Sequence, residues 1–91
     1  SIPQILSGNS STYAQYTLRS SNRKQMESIL KECGIPYCIH YPKALRKQPC
    51  FLGLSNPENP STDLVCKQVF SLPVCAFTDV SEVLQKLKTF F

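Results

Sequence analysis

One stretch of the chain, residues 34–51, reads GIPYCIHYPKALRKQPCF. It contains the only histidine, His40, together with two tyrosines, three of the seven prolines and two of the five cysteines. It starts at Gly34, a residue type that ends helices in the left-handed conformation. An apolar run over residues 37–41 and a basic loop interrupted by prolines follow. The flanking segments are typical of packing elements, whereas this stretch is typical of a surface that contacts a ligand.

The segment before this stretch has the pattern of a strand followed by a helix. Residues 1–12 form a polar lead-in, and apolar and polar side chains alternate over residues 13–19 as in a half-buried strand. Asn22, with Gln25 three positions later, resembles a capping box that begins a helix. The apolar side of that helix consists of Met26, Ile29, Leu30 and Cys33.

The segment after it predicts a long loop, two helices and one further strand. The loop covers residues 43–58, and Pro60 fits the first turn of a helix that Asn59 caps. The apolar side chains of this helix are Leu64, Val65, Cys66, Val69 and Phe70. Residues 71–74 predict a short strand, and Asp79 with Glu82 predicts the cap of a last helix. The apolar stripe of that helix consists of Val80, Val83, Leu84 and Leu87.

The order of elements is therefore β-α-β-α-β-α. A strand-helix-strand unit returns the chain in its original direction, so the first two strands would run parallel. The third strand would insert between them in the antiparallel direction. The sequence thus predicts one small α+β domain over residues 13–91. Its sheet would be split, three-stranded and mainly antiparallel, with strand order 1-3-2 and the helices packed on one face.

The composition of the chain argues against several kinds of partner and site. The net charge of +4 is mild, and no aromatic-basic pattern of an RNA-binding sheet is present, so we expect no nucleic-acid partner. No apolar run approaches the roughly 20 residues of a membrane span. The chain does not begin with the basic and apolar regions of a secretion signal, which favours the cytoplasm. The five cysteines form no Cys-x-x-Cys pair, so we expect no metal site.

His40 is the first residue to test for chemistry. A lone histidine on a strand is more often structural, and neighbouring Cys38 would not complete a metal site. A Cys-His nucleophile would need a third, orienting group that the sequence does not provide. Lys43, Arg46 and Lys47 form either a solvated loop or a contact for phosphate or carboxylate. No paired carboxylates and no glycine-rich phosphate loop occur, so the sequence predicts no catalytic residue in this chain.

Four segments resemble one enzyme family in the same order. The resemblance is to the C-terminal small domain of DegT/StrS-type nucleotide-sugar aminotransferases, which depend on pyridoxal phosphate and have the aspartate-aminotransferase fold. The segments are YAQYTLR (residues 13–19), the helix and turn of residues 22–36, HYP (residues 40–42) with Leu45, Gln48-Pro49 and Phe51, and FSLPV (residues 70–74) with the closing helix. Together they cover the chain from about residue 12 to its end.

The resemblance implies that this chain is part of a larger enzyme. This portion alone would be inert, because the Schiff-base lysine is absent here. The parent would be a homodimer in amino-sugar and polysaccharide biosynthesis. Its large domain, upstream in the same chain, would bind pyridoxal phosphate, and its substrate would be a nucleotide-linked keto-sugar aminated at C3. We expect no cofactor to bind this fragment by itself.

The resemblance also assigns site residues. The match to the HYP segment implies that His40, then Tyr41 and Gln48, contact the substrate in the parent enzyme. Two departures matter: Lys43-Ala44 replaces an apolar residue and a proline, and Cys75-Ala76 replaces a common His-Pro pair. Two other function classes remain open, a stand-alone α+β protein-interaction module and a weak nucleic-acid binder that uses the positive charge.

Overall fold

The computed structural model describes residues 1–54 and 57–91. Within these residues the fold is a small α+β arrangement of three α-helices and a two-stranded antiparallel sheet. The elements are β1 (Tyr16–Arg19), α1 (Arg23–Glu32), two 3-10 helices (Leu45–Lys47 and Pro49–Phe51), α2 (Pro60–Gln68), β2 (Val69–Leu72) and α3 (Val80–Lys88). None of the described helices is long and apolar enough to cross a lipid bilayer.

The two strands pair in a register that places four large side chains on one face. Tyr16 lies opposite Leu72, and Leu18 lies opposite Phe70. Because side chains alternate along a strand, these four residues share one face of the sheet. The core forms on this face, around the buried cluster of Leu30, Ile35 and Phe70.

Helices α1 and α3 both pack on that core. The partly buried side chains around the buried cluster are Leu18, Met26, Cys33, Tyr37, Leu72, Val83 and Leu87. The Cys33 thiol, at the end of α1, donates to the backbone carbonyl of Lys86 in α3 at 3.6 Å. The two helices therefore lie close together at this point, over the same face of the sheet.

Helix α1 begins and ends where the sequence predicts. The Asn22 side chain accepts a hydrogen bond from the backbone N–H of Gln25 at 3.3 Å. Gly34 has φ of 65°, and the N–H of Ile35 donates to the carbonyl of Leu30 at 2.8 Å. This is the Schellman arrangement, in which the residue after the glycine also packs against the last turn. It turns Ile35 into the core.

The predicted three-stranded sheet in the order 1-3-2 is not confirmed. In residues 37–41 only Cys38 pairs with the sheet, through an isolated antiparallel bridge to Ser71 with N···O distances of 3.1 and 2.7 Å. Pro36 and Pro42 bracket this run, and a proline has no N–H to donate to a ladder. The run is thereby limited to one bridge, and the sheet consists of β1 and β2.

Two predicted boundaries are also wrong. Val69 and Phe70, predicted on the second helix, are the first residues of β2, which spans Val69–Leu72 rather than residues 71–74. β-Branched and aromatic side chains favour extended backbone, which explains why α2 passes directly into a strand. The first strand begins at Tyr16 rather than Tyr13, because Tyr13 has φ of 48° and interrupts the extended chain.

The lead-in, residues 1–12, is described in full and contains neither helix nor strand. All of its residues are exposed. It contacts the domain at its first residue, because the backbone N–H of Arg19 donates to the carbonyl of Ser1 at 3.0 Å.

Candidate functional site

His40 lies in a cavity beside the isolated bridge of the sheet. The cavity has a volume of about 200 Å³ and is lined by the segment before β1, the segment around His40 and the end of β2. Its polar side chains are those of Gln15, Tyr37, Cys38, His40 and Ser71, and the remaining lining is apolar. None of the described residues that line it is an aspartate, glutamate, lysine or arginine.

The bridge explains the position of His40. Cys38 exchanges both backbone hydrogen bonds with Ser71, so the chain two residues before the histidine is held against β2. Ser71 is itself buried, and its hydroxyl is hydrogen-bonded to that of Thr17 at 2.8 Å. This polar pair on the face opposite the core joins the two strands and supports the wall of the cavity.

The structure places His40 and Tyr41 together. Their rings contact each other edge to face, with centroids 5.4 Å apart and an interplanar angle of 69°, and the peptide bond between them is cis. His40 is half-buried, whereas the Tyr41 side chain is 66% exposed. The imidazole therefore faces a shaped cavity, and the phenol is accessible to a larger ligand.

Gln48 lies in the neighbouring loop and does not line the cavity of His40. It connects the two 3-10 helices: its N–H donates to the carbonyl of Leu45 at 3.0 Å, and its own carbonyl accepts from the N–H of Phe51 at 2.9 Å. Its backbone is thus fixed within the loop. Of the three predicted site residues, only His40 lines this cavity.

A charged cluster that sequence reasoning did not identify joins the loop to α2. Arg46 and Lys47 both pair with the same carboxylate oxygen of Asp63, and the Lys47 Nζ lies 3.1 Å from it. Burial alone would raise the pKa of Asp63, but hydrogen bonds and charge from Lys47 and Arg46 outweigh that effect and lower the pKa below its ordinary value. Arg46 and Lys47 are therefore occupied within the fold.

The sequence also raised two chemistries to test, a Cys-His nucleophile and a metal site. Within the described residues, the Cys38 thiol makes no hydrogen bond to His40, although both line one cavity. Across residues 1–54 and 57–91, no three His, Cys, Asp or Glu side chains lie close enough together to hold a metal ion. The arrangement around His40 is that of a small, mostly apolar cavity.

The chain is similar to proteins of one family along almost its whole length. Residues 3–88 match the model of the DegT/DnrJ/EryC1/StrS aminotransferase family. The chain is 38% identical over 81 residues to the UDP-2-acetamido-2-deoxy-3-oxo-D-glucuronate aminotransferase of Pseudomonas aeruginosa. This match covers 89% of the chain and 22% of that protein. It is 31% identical over 96 residues to the pleiotropic regulatory protein of Geobacillus stearothermophilus, covering 98% of the chain and 25% of that protein.

A solved structure has the same fold. The crystal structure of a DegT DnrJ EryC1 StrS aminotransferase from Brucella abortus matches with a TM-score of 0.83 and 26% sequence identity, covering 98% of this chain and 25% of that chain. This chain therefore spans about a quarter of the length of the proteins that it matches.

Proposed function

The chain belongs to the DegT/DnrJ/EryC1/StrS aminotransferase family, and we propose that it is the C-terminal domain of a pyridoxal-phosphate-dependent nucleotide-sugar aminotransferase. The observation that supports this most strongly is the 38% identity over 81 residues to an aminotransferase whose name specifies a UDP-linked 3-oxo sugar. We propose the same type of reaction for the parent: amination at C3 of a nucleotide-linked keto-sugar, in amino-sugar and polysaccharide biosynthesis. We also propose that the parent is a cytoplasmic homodimer.

The residues of this chain do not by themselves fit pyridoxal phosphate. The cofactor needs an amine for its Schiff base, an acidic partner for its pyridine nitrogen and donors for its phosphate. The described lining of the His40 cavity includes no lysine and no acidic side chain. Arg46 and Lys47, in the adjacent loop, pair with Asp63. We therefore assign the cofactor site to the upstream domain and expect the 91-residue chain to be inert alone.

In the parent we assign His40, Tyr41 and Gln48 to substrate binding. Pockets for drug-sized molecules have volumes of about 300–1,000 Å³, so a cavity of about 200 Å³ fits only part of a nucleotide sugar. The neutral polar groups around His40 suit hydroxyl or amide groups of a sugar ring, which hydrogen-bond to imidazole and amide side chains. Tyr41 and Gln48, outside the cavity, would contact the remainder of the substrate.

The assignment of His40 is testable in the intact parent. Replacing His40 by Phe keeps a planar ring and removes both nitrogens, and we expect kcat/KM to fall about tenfold to a hundredfold, as for loss of a substrate hydrogen bond. The assay follows amination of UDP-2-acetamido-2-deoxy-3-oxo-D-glucuronate with an amino-acid donor. Lys67→Gln, on the exposed surface of α2, is the matched control and should leave kcat/KM unchanged. An unaltered kcat/KM for His40→Phe would contradict the assignment.

A second candidate is a stand-alone α+β protein-interaction module. One relative has a name that is not that of an enzyme: the pleiotropic regulatory protein aligns with 98% of this chain, although the chain covers only 25% of that protein. The size of the native gene product separates the two candidates, because a module would be made without a cofactor-binding domain.

A further inference from the structure

An uncharged apolar groove lies between α3 and the end of the sheet at which β1 starts and β2 ends. It has a volume of about 520 Å³ and is separate from the cavity of His40, although Leu72, Pro73 and Val74 contribute to both. Its main walls are Tyr16 and Leu72 of the sheet and Val80, Val83, Leu84 and Leu87 of α3. Its polar side chains are limited to tyrosine hydroxyls, the Thr78 hydroxyl and the Cys75 thiol.

Helix α3 has a wider apolar stripe than the core uses. Val83 and Leu87 pack against the buried cluster, as the sequence predicts. Val80 and Leu84, one helical turn apart on the same predicted stripe, are instead 62% and 53% exposed and line the groove. A helix that packs on one neighbour needs only one apolar face. The additional pair indicates a second neighbour, and apolar patches of this kind mark interaction surfaces.

We propose that an amphipathic α-helix from the upstream part of the parent polypeptide occupies this groove. The inference rests on the proposed function, because it requires the parent chain. In the Brucella abortus aminotransferase the matched region reproduces 98% of this chain, and three quarters of that polypeptide lie outside it. A parent of that size would supply a large amount of additional chain that could cover the groove.

The chemistry of the groove favours a helix as the occupant. A segment buried there finds no charged side chain and few hydrogen-bonding groups among the residues that line the groove. Its backbone N–H and C=O groups must then be satisfied internally, which a helix does and an extended segment does not. Val80, Val83, Leu84 and Leu87 recur at i, i+3, i+4 and i+7, and such rows form the ridges against which a second helix packs.

The same features argue against other ligands. A nucleotide or nucleic acid is anionic, and the groove presents no lysine or arginine along its described lining. A second copy of the 91-residue chain is a different occupant, and the experiment below separates it from the upstream helix.

Cys75 provides a reporter that the chain already contains. Its thiol is exposed and lines the groove, and the Thr78 hydroxyl lies 3.2 Å from the sulfur. That hydrogen bond, with help from nearby backbone N–H groups, lowers the pKa of Cys75 and favours its reaction with N-ethylmaleimide. The alkylation rate of Cys75, followed by mass spectrometry of its peptide, therefore measures whether the groove is covered.

The test compares the intact parent with the 91-residue chain. We expect Cys75 to react at least about tenfold more slowly in the parent, because a docked helix must move away before the thiol is accessible. In the parent, Leu84→Glu places a charge in the groove and should restore fast alkylation. Gln85→Glu adds the same charge at the adjacent exposed position, outside the groove, and should leave Cys75 protected.

Equal alkylation rates of Cys75 in the parent and the short chain would overturn the inference, whether or not Leu84→Glu folds. Protection in the short chain that increases with its concentration would overturn it in favour of a second copy. Transaminase activity measured in the same preparation distinguishes the failure of the docked helix from the failure of the proposed function. An active parent with a reactive Cys75 would refute the docked helix and leave the proposed function standing. A native product of only 91 residues refutes both.

Discussion

Phe70 is the residue through which the sheet is anchored to the helices. Its side chain is 1% exposed, and it lies in the buried cluster with Leu30 of α1 and Ile35. It follows α2 by only two positions, so its burial also fixes where that helix ends and β2 begins. A substitution at Phe70 therefore affects the packing of three elements at once.

We expect Phe70→Ala to lower the free energy of unfolding by about 3–5 kcal/mol, through lost apolar burial and the cavity left behind. Phe77→Ala is the matched control: Phe77 is 97% exposed, and its truncation should change the unfolding free energy by less than about 0.5 kcal/mol. Urea denaturation followed by circular dichroism measures both. Similar losses for the two variants would contradict the placement of the core.

Gly34 is required for its backbone conformation rather than for space. Its φ is 65°, and an added Cβ would have no atom within 4 Å. Gly34→Ala should therefore cost about 1 kcal/mol of unfolding free energy from backbone strain alone. Gly34→Asn should cost less, because asparagine adopts the left-handed conformation more readily. Thermal unfolding measures the stability of both variants. If both were as stable as the wild type, the helix end would have a different geometry.

At the scale of elements, local signals were sufficient to predict the helix starts. Each α-helix is capped by a side chain that accepts a hydrogen bond from a backbone N–H three residues later: Asn22 from Gln25, Asn59 from Thr62 and Asp79 from Glu82. The cap and its partner lie within one turn, so the sequence alone specifies the contact. The contact between His40 and Tyr41 is equally local.

Features that depend on distant residues were not predictable in the same way. Residues 37–41 alternate like a strand, but their pairing depends on how they fit against β2. Within this run, only Cys38 forms a bridge to β2. The salt bridge between Arg46 and Asp63 joins residues 17 positions apart, and no periodicity reveals it. Whether Leu84 faces the core or a groove depends equally on tertiary packing.

The salt bridge makes the attachment of the loop to α2 dependent on pH. The pKa of Asp63 is lowered in the folded chain, so its charged form stabilises the fold above the ordinary aspartate pKa of about 3.9. That stabilisation is lost as the pH falls from this value through the lower folded pKa. Asp63→Asn should therefore lower the urea midpoint at neutral pH, and the difference from wild type should disappear in acid.

The control for this prediction is Glu58→Gln, which removes an exposed carboxylate next to the start of α2. It should have little effect on the urea midpoint at any pH, because exposed charges contribute little to stability. A difference between Asp63→Asn and wild type that stays constant down to strongly acidic pH would contradict an electrostatic role for the bridge.

At the scale of the whole molecule, two surfaces of the chain fit the proposal that it is part of a larger enzyme. The His40 cavity is smaller than a nucleotide sugar requires, and its described lining offers no lysine for a Schiff base. The groove beside α3 leaves large apolar side chains exposed. Both features are consistent with a domain that spans about a quarter of its relatives and that completes its site and its packing with the remainder of the parent.

The most direct test of the proposed function is the mass of the native gene product in its source cells, detected with an antibody against this chain. We expect a product several times larger than 10.2 kDa, in which borohydride fixes pyridoxal phosphate to a lysine outside these 91 residues. A native product of about 10.2 kDa without bound cofactor would contradict the proposed function and favour the stand-alone module.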